Sequence, residues 1–195
     1  GGDDGSETDD SSAAEHLAAC NRLRALMTPP AAWPPHVAAF AARWEAWKYE
    51  SGYVDFTDMI ARALRDIPAP PGGPRVGLFD EVQDFSRLEL ALVRSWAQHM
   101  EYVVLAGDDD QAIYGFKGAS PNAFLDPPVS EDRKRVLAQS YRLPWAVYWL
   151  AEDWVAGLSR REPKAYCPRE ADGAVEQCPA TWKAPDRLVD TIAEE

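Results

Sequence analysis

The spacing of apolar positions along the chain changes character near residue 75. Upstream, the pattern is helical. Residues 13–28 form one short candidate helix, closed by Pro29-Pro30. From Pro35 the residues Val37, Phe40, Trp44 and Trp47 recur at helical spacing and define one apolar face. Tyr53 to Ile67 reads as a further helix, with Phe56, Ile60 and Leu64 four apart, and the Pro-Gly run Pro68–Pro74 ends it. Downstream, short apolar runs take over. Val76–Phe79 is a candidate buried strand, and Ser86-Arg87-Leu88-Glu89 carries a capping-box signature that opens a helix through about His99. Tyr102–Ala106 is the next strand. Strand, helix, strand in that order argues for neighbouring parallel strands in an α/β sheet, with functional loops at their carboxyl ends. Past Pro127-Pro128, Val136–Ala138 is a further strand candidate, and Pro144 opens a tryptophan-rich helix that reads as a packing surface against a neighbouring domain. Ala174–Cys178 is a candidate edge strand and Asp186–Ile192 a terminal helix.

Composition adds limits. The chain has 195 residues, 46% of them apolar, enough for a real core. No apolar run is long enough for a transmembrane span and no secretory leader is visible, so a cytoplasmic location is expected. Cys20, Cys167 and Cys178 fit neither a disulfide framework nor a zinc pattern. Net charge is −12, which weakens any nucleic-acid interaction. The acidity is uneven, however. Residues 1–12, with five acidic residues and no basic one, read as a disordered acidic tail, whereas Glu131–Lys164 holds seven basic residues against five acidic.

Both strands end in acid. Val76–Phe79 runs into Asp80-Glu81-Val82-Gln83-Asp84, and Tyr102–Ala106 into Gly107-Asp108-Asp109-Asp110-Gln111. An Asp-Glu pair after an apolar strand is what a nucleotide hydrolase needs: Asp80 to hold Mg²⁺, Glu81 to share the metal site and activate water. In isolation such a pair more often merely ends a strand, but a second acidic loop one helix later shifts the balance toward function. Three consecutive carboxylates repel and need a cation or donors. Gln111 can meet a terminal phosphate with a neutral amide. Tyr114 and Phe116 alternate, so an extended segment would turn both rings to one side as a stacking platform beside Lys117. Core packing is the commoner fate of aromatic rings, but the flanking Gly115 and Gly118 favour an exposed loop. Tyr141-Arg142 offers a ring for a purine and a guanidinium for phosphate, although a lone Tyr-Arg is usually plain surface.

In combination these motifs resemble the UvrD/Rep-like superfamily 1 DNA helicases. Asp80–Asp84 is similar to the family's second motif, Gly107–Ala119 to the third and Gln139–Arg142 to the fourth, while Tyr53–Ile60 is similar to the segment preceding the second. The resemblance implies an incomplete parallel RecA-like sheet of the P-loop NTPase type with an N-terminal helical segment. It divides the chain into a tail (1–12), the end of a helical insertion (13–74), part of the first motor domain (75–130) and the start of the second (131–195). It implies ATP and Mg²⁺ as cofactors and single-stranded DNA as partner. Asp80 and Glu81 would serve metal and water, Gln111 would couple the γ-phosphate to DNA, and Tyr114, Phe116 and Lys117 would lie along the strand. Tyr141 would stack on adenine and Arg142 would reach the γ-phosphate.

The chain departs from the family at Ala112, Phe116, Lys117 and Leu143, where serine, tryptophan, arginine and serine are usual. It also carries no Gly-x-x-x-x-Gly-Lys-[Ser/Thr] loop to cradle phosphates. Two expectations follow. One is a slice or split subunit of a DNA translocase, inactive alone, whose phosphate loop lies on a second polypeptide or a missing segment. The other is a non-catalytic helicase-derived module that binds a protein or single-stranded DNA.

Overall fold

The computed structural model of the chain describes residues 6–119, 125–159 and 161–176. These described residues fall into two compact units, one up to residue 133 together with 161–162, the other 134–159 together with 163–176.

The first unit opens with three helices, α1 (Ser6–Ala25), α2 (Pro35–Ser51) and α3 (Phe56–Asp66). Helix α1 begins seven residues before position 13, so 6–12 are helical here although their composition reads as a disordered tail. Propagating an existing helix by a turn costs far less than nucleating one. Pro35 starts α2 at a position where its missing N–H is no loss, and Gly52, at φ 72°, ends it in the left-handed conformation that suits glycine. Asp55 and Asp58 form a reciprocal capping box at the start of α3, contributing about 1 kcal/mol.

Helices α1 and α2 close on Cys20, Val37 and Ala41, with Leu23, Trp33 and Phe40 packed around them. The buried face of α2 therefore runs Val37, Ala41, Lys48. Trp47, expected on the apolar face, is half exposed and lies instead in a ring stack with Trp44 and Tyr53. Phe56 likewise turns outward at the first position of α3, while Ile60 and Leu64 stay half-buried.

The sheet follows. Strands β1 (Val76–Phe79) and β2 (Tyr102–Leu105) pair in parallel, Val76 opposite Tyr102 and Phe79 opposite Leu105, with α4 (Arg87–Ala97) connecting them. The ladder continues past both strand ends: Ala106 N–H donates to Phe79 O at 2.8 Å and Val82 N–H to Ala106 O at 3.0 Å. Ser86 and Glu89 cap α4 reciprocally, as their spacing predicts. Val82 and, on α4, Leu88, Leu90, Leu92 and Val93 are buried. Helices followed by two parallel strands and their crossover helix make an incomplete RecA-like α/β fold with an N-terminal helical segment. The strands themselves are not buried as expected; Leu78 and Tyr102 are exposed. Parallel strands are ordinarily covered on both faces and both edges, and among the described residues each has a single neighbour.

In the second unit the expected strand over Val136–Ala138 reduces to one parallel bridge, Gln139 to Cys167. Helix α5 (Trp145–Val155) begins just after Pro144. It buries no residue; Trp149 and Trp154 are exposed, and Trp145, Tyr148, Trp149 and Tyr166 meet one another in ring contacts. The described part of the expected edge strand, 174–176, is not a strand, and the expected helix at 186–192 lies outside the described residues, as does Cys178. Among the described residues no helix is long and apolar enough to cross a membrane.

Candidate nucleotide and nucleic-acid site

The two acidic loops leave adjacent strand ends and are stitched together by one side chain. Asp80, exposed just past β1, accepts a hydrogen bond from Glu81 N–H at 3.0 Å. Glu81 then adopts φ 52°, ψ 38°, a left-handed conformation that costs a non-glycine residue about 1–3 kcal/mol. The turn Val82–Asp84 holds it there, because Val82 is fully buried and its N–H is tied to Ala106.

Gln83, 2% exposed, follows. Its Nε2 donates to Glu81 Oε2 at 2.7 Å, and its Oε1 accepts from Asp108 N–H at 3.0 Å. The approach is close enough that a Cβ on Gly107 would lie 2.5 Å from Gln83 Oε1 and force the amide to shift. Asp108 continues the chain of contacts: Oδ1 accepts from Asp110 N–H at 3.2 Å and Oδ2 from Gln111 Nε2 at 2.6 Å. Glu81 and Gln111 are thus linked through the Gln83 side chain and then through Asp108, by its backbone N–H on one side and its carboxylate on the other.

The other two carboxylates of the acidic run find donors of their own. Asp109, buried, accepts from Glu162 N–H at 2.6 Å, and Arg161 grips Asp110 with two hydrogen bonds at 3.0 and 2.7 Å. Local donors and one guanidinium offset the repulsion that three adjacent acids create.

Tyr114 and Phe116 do not lie on an extended segment. Gly115–Lys117 is a 3-10 turn, yet the two rings still neighbour each other at 5.9 Å, and Lys117 Nζ sits 4.8 Å from the Tyr114 ring centre. Phe116 is exposed and Tyr114 half-buried. Gly118, at φ 96°, closes the turn, and Ala119 forms an antiparallel bridge with Ser86, the cap of α4. A cleft of about 340 Å³ opens beside Tyr114 and Lys117, with Phe56 and Thr57 on its wall. In the second unit Tyr141 and Arg142 are exposed, on a turn where Ser140 Oγ accepts the N–H groups of Arg142 and Leu143 at 3.3 and 3.0 Å.

Carboxylates also converge at Glu45, Asp55 and Asp58, whose oxygens lie within 4.8 Å of one another. Their cation is already present. Lys48 Nζ lies 2.8 Å from Glu45, 2.8 Å from Asp55 and 2.6 Å from Asp58, and Arg24 binds both aspartates as well. Burial pushes the Asp55 and Asp58 carboxyls up, but the Lys48 hydrogen bonds, the capping N–H groups and Arg24 outweigh it and hold both below the usual carboxylate range. For Lys48, burial lowers the pKa, and hydrogen bonds to Asp55, Asp58 and Glu45 more than restore it. By contrast, Asp80 has no basic partner among the described residues, which leaves its hard oxygen ligands for an added cation.

Sequence reasoning did not pick out Gln83 as a connector or Lys48 as a buried charge. Lys48 was findable: it lies four residues after Trp44, on the face that already holds Val37 and Ala41. Gln83 carries no such signal, because its partners are defined only once β1 and β2 pair.

Residues 31–128 match the UvrD/REP helicase N-terminal domain family. The chain is 29% identical over 96 residues to the ATP-dependent DNA helicase PcrA of Staphylococcus aureus (strain Mu50), and equally to that of Staphylococcus epidermidis (strain ATCC 12228). The alignment covers 48% of this chain and 13% of each relative.

Proposed function

The chain belongs to the UvrD/REP helicase N-terminal domain family, and from that membership we propose that it forms part of a cytoplasmic ATP-dependent DNA helicase that couples ATP hydrolysis to movement along single-stranded DNA. The observation that carries the proposal is the hydrogen-bonded path from Glu81 to Gln111, which ties a candidate water-activating carboxylate to a candidate phosphate-sensing amide. Asp80 would hold Mg²⁺, which when bound neutralises charge on the phosphates. Glu81 orients and deprotonates the attacking water. Gln111, held by Asp108, presents its amide to the γ-phosphate from a loop that also carries Tyr114, Phe116 and Lys117. Tyr141 would take the adenine ring and Arg142 a phosphate. A segment or polypeptide other than these 195 residues supplies the phosphate-binding loop.

The turn Gly115–Lys117 is the proposed contact with DNA, and the exposed Phe116 ring is its stacking surface. Base stacking on an aromatic side chain is worth about 1–3 kcal/mol per base. Phe116→Ala and Tyr114→Ala should therefore each weaken binding of fluorescent single-stranded DNA by roughly 5- to 150-fold at low salt. Lys117→Ala should reduce the slope of log K against log salt by about 1. Unchanged affinity in both aromatic variants would remove DNA from this loop.

A further inference from the structure

We infer that Gln83 is a positioning residue that couples the orientation of the Glu81 carboxylate to that of Gln111, an inference that rests on the roles proposed above for those two residues. An amide is the side chain that offers a donor and an acceptor from one rigid plane. Gln83 uses both across two strand ends separated by about two dozen residues of sequence: the donor on Glu81 Oε2, the acceptor on the Asp108 N–H. The orientation of the plane is not arbitrary. Flipping it would set an oxygen against a carboxylate and an NH₂ against an N–H, two repulsive contacts in place of two bonds.

Burial makes the link stiff. Gln83 is 2% exposed, so water cannot replace a lost partner, and a buried donor left unmet is costly. Rotation of Glu81 away from Gln83 therefore draws the amide after it, which loosens Asp108. Asp108 in turn holds Gln111 Nε2 at 2.6 Å. Displacement of Gln111 toward a phosphate acts along the same path in reverse. Because Gln83 occupies Glu81 Oε2, Oε1 is the oxygen presented to water. The glycine at 107 belongs to the device, since any side chain there would collide with the Gln83 carbonyl.

The test uses the 195-residue chain and nuclear magnetic resonance, without nucleotide. Gln83→Met should speed hydrogen exchange at the Asp108 N–H by about tenfold, the loss expected of one buried hydrogen bond. The coupling itself is read by a double-mutant comparison. Glu81→Gln should shift the Gln111 side-chain amide resonances in the parent chain and leave them in place in the Gln83→Met background. Gly107→Ala, which displaces the Gln83 carbonyl while keeping the residue, should abolish the Gln111 response in the same way. A glutamine that merely fills space would leave that response equal in all three backgrounds, and that result would overturn the inference. The proposed hydrolysis is judged separately, by turnover of Glu81→Gln in the complete helicase, so either idea can fail without the other.

Discussion

Lys48→Met should destabilise the first unit by about 3–5 kcal/mol, the cost of removing one partner from a buried ion pair, and lower its melting temperature by roughly 10 °C. Methionine keeps the apolar stem and removes only the ammonium. Asp58, 7% exposed, then loses its 2.6 Å partner, and Asp55 keeps Arg24 but not Lys48. Arg24 still touches both aspartates, which places the loss toward the lower end of that range. The network ties α1 through Arg24, α2 through Lys48 and the start of α3 through its capping aspartates, so the effect should be cooperative. Thermal and denaturant melts followed by helical circular dichroism measure it, and a cycle with Asp58→Ala should show strong non-additivity. A melting temperature unchanged by Lys48→Met would mean that the pairs are ornamental.

The same network sets an acid limit. Asp55 and Asp58 have folded pKa values below the ordinary 3.8, so each contributes stability that is fully present above that value and is lost as pH falls through the lower folded value. Lys48 is raised above 10.5, so its contribution is complete below that value and fails only in strong alkali. Stability of the parent chain should therefore drop steeply below pH 3.8, and Asp55→Asn, already weaker at neutral pH, should show a shallower fall over the same window. Equal acid slopes in the two proteins would contradict the assignment.

Much of this architecture is legible in the sequence because its signals are local. The capping box read at Ser86 depends on residues three apart, and it forms; the one at Asp55 was not read from the sequence. Pro35 and Gly52 mark the ends of α2 for reasons confined to their own backbones. The parallel pairing of β1 with β2 follows from strand–helix–strand order. What the sequence hides is relational. Which face of α2 is buried depends on α1 and on the aspartates of α3, and these draw Lys48 inward while Trp47 turns to its own ring stack. The apolar runs of β1 and β2 say "buried", but burial needs neighbouring strands and covering helices that the described residues do not provide. At the candidate site the acidic loops and aromatics are visible as motifs. The strained backbone of Glu81, the Gln83 bridge and the Arg161 grip on Asp110 depend on distant partners.

The second large effect is chemical. Glu81→Gln keeps the size of the side chain and an oxygen for Gln83 to bond, but an amide cannot take a proton from water. General-base catalysis is worth about 10²- to 10⁴-fold, so turnover should fall by that factor with nucleotide binding left in place, a loss in kcat rather than in KM. Asp80→Asn should act differently, by raising the Mg²⁺ concentration needed for turnover. The direct test is steady-state ATP hydrolysis by the proposed complete helicase that would contain this chain, with Mg²⁺ and with or without single-stranded DNA, comparing parent and Glu81→Gln. DNA-stimulated hydrolysis in the parent, reduced at least about 100-fold by Glu81→Gln, is the predicted result; hydrolysis at the parent rate in the variant would contradict the account.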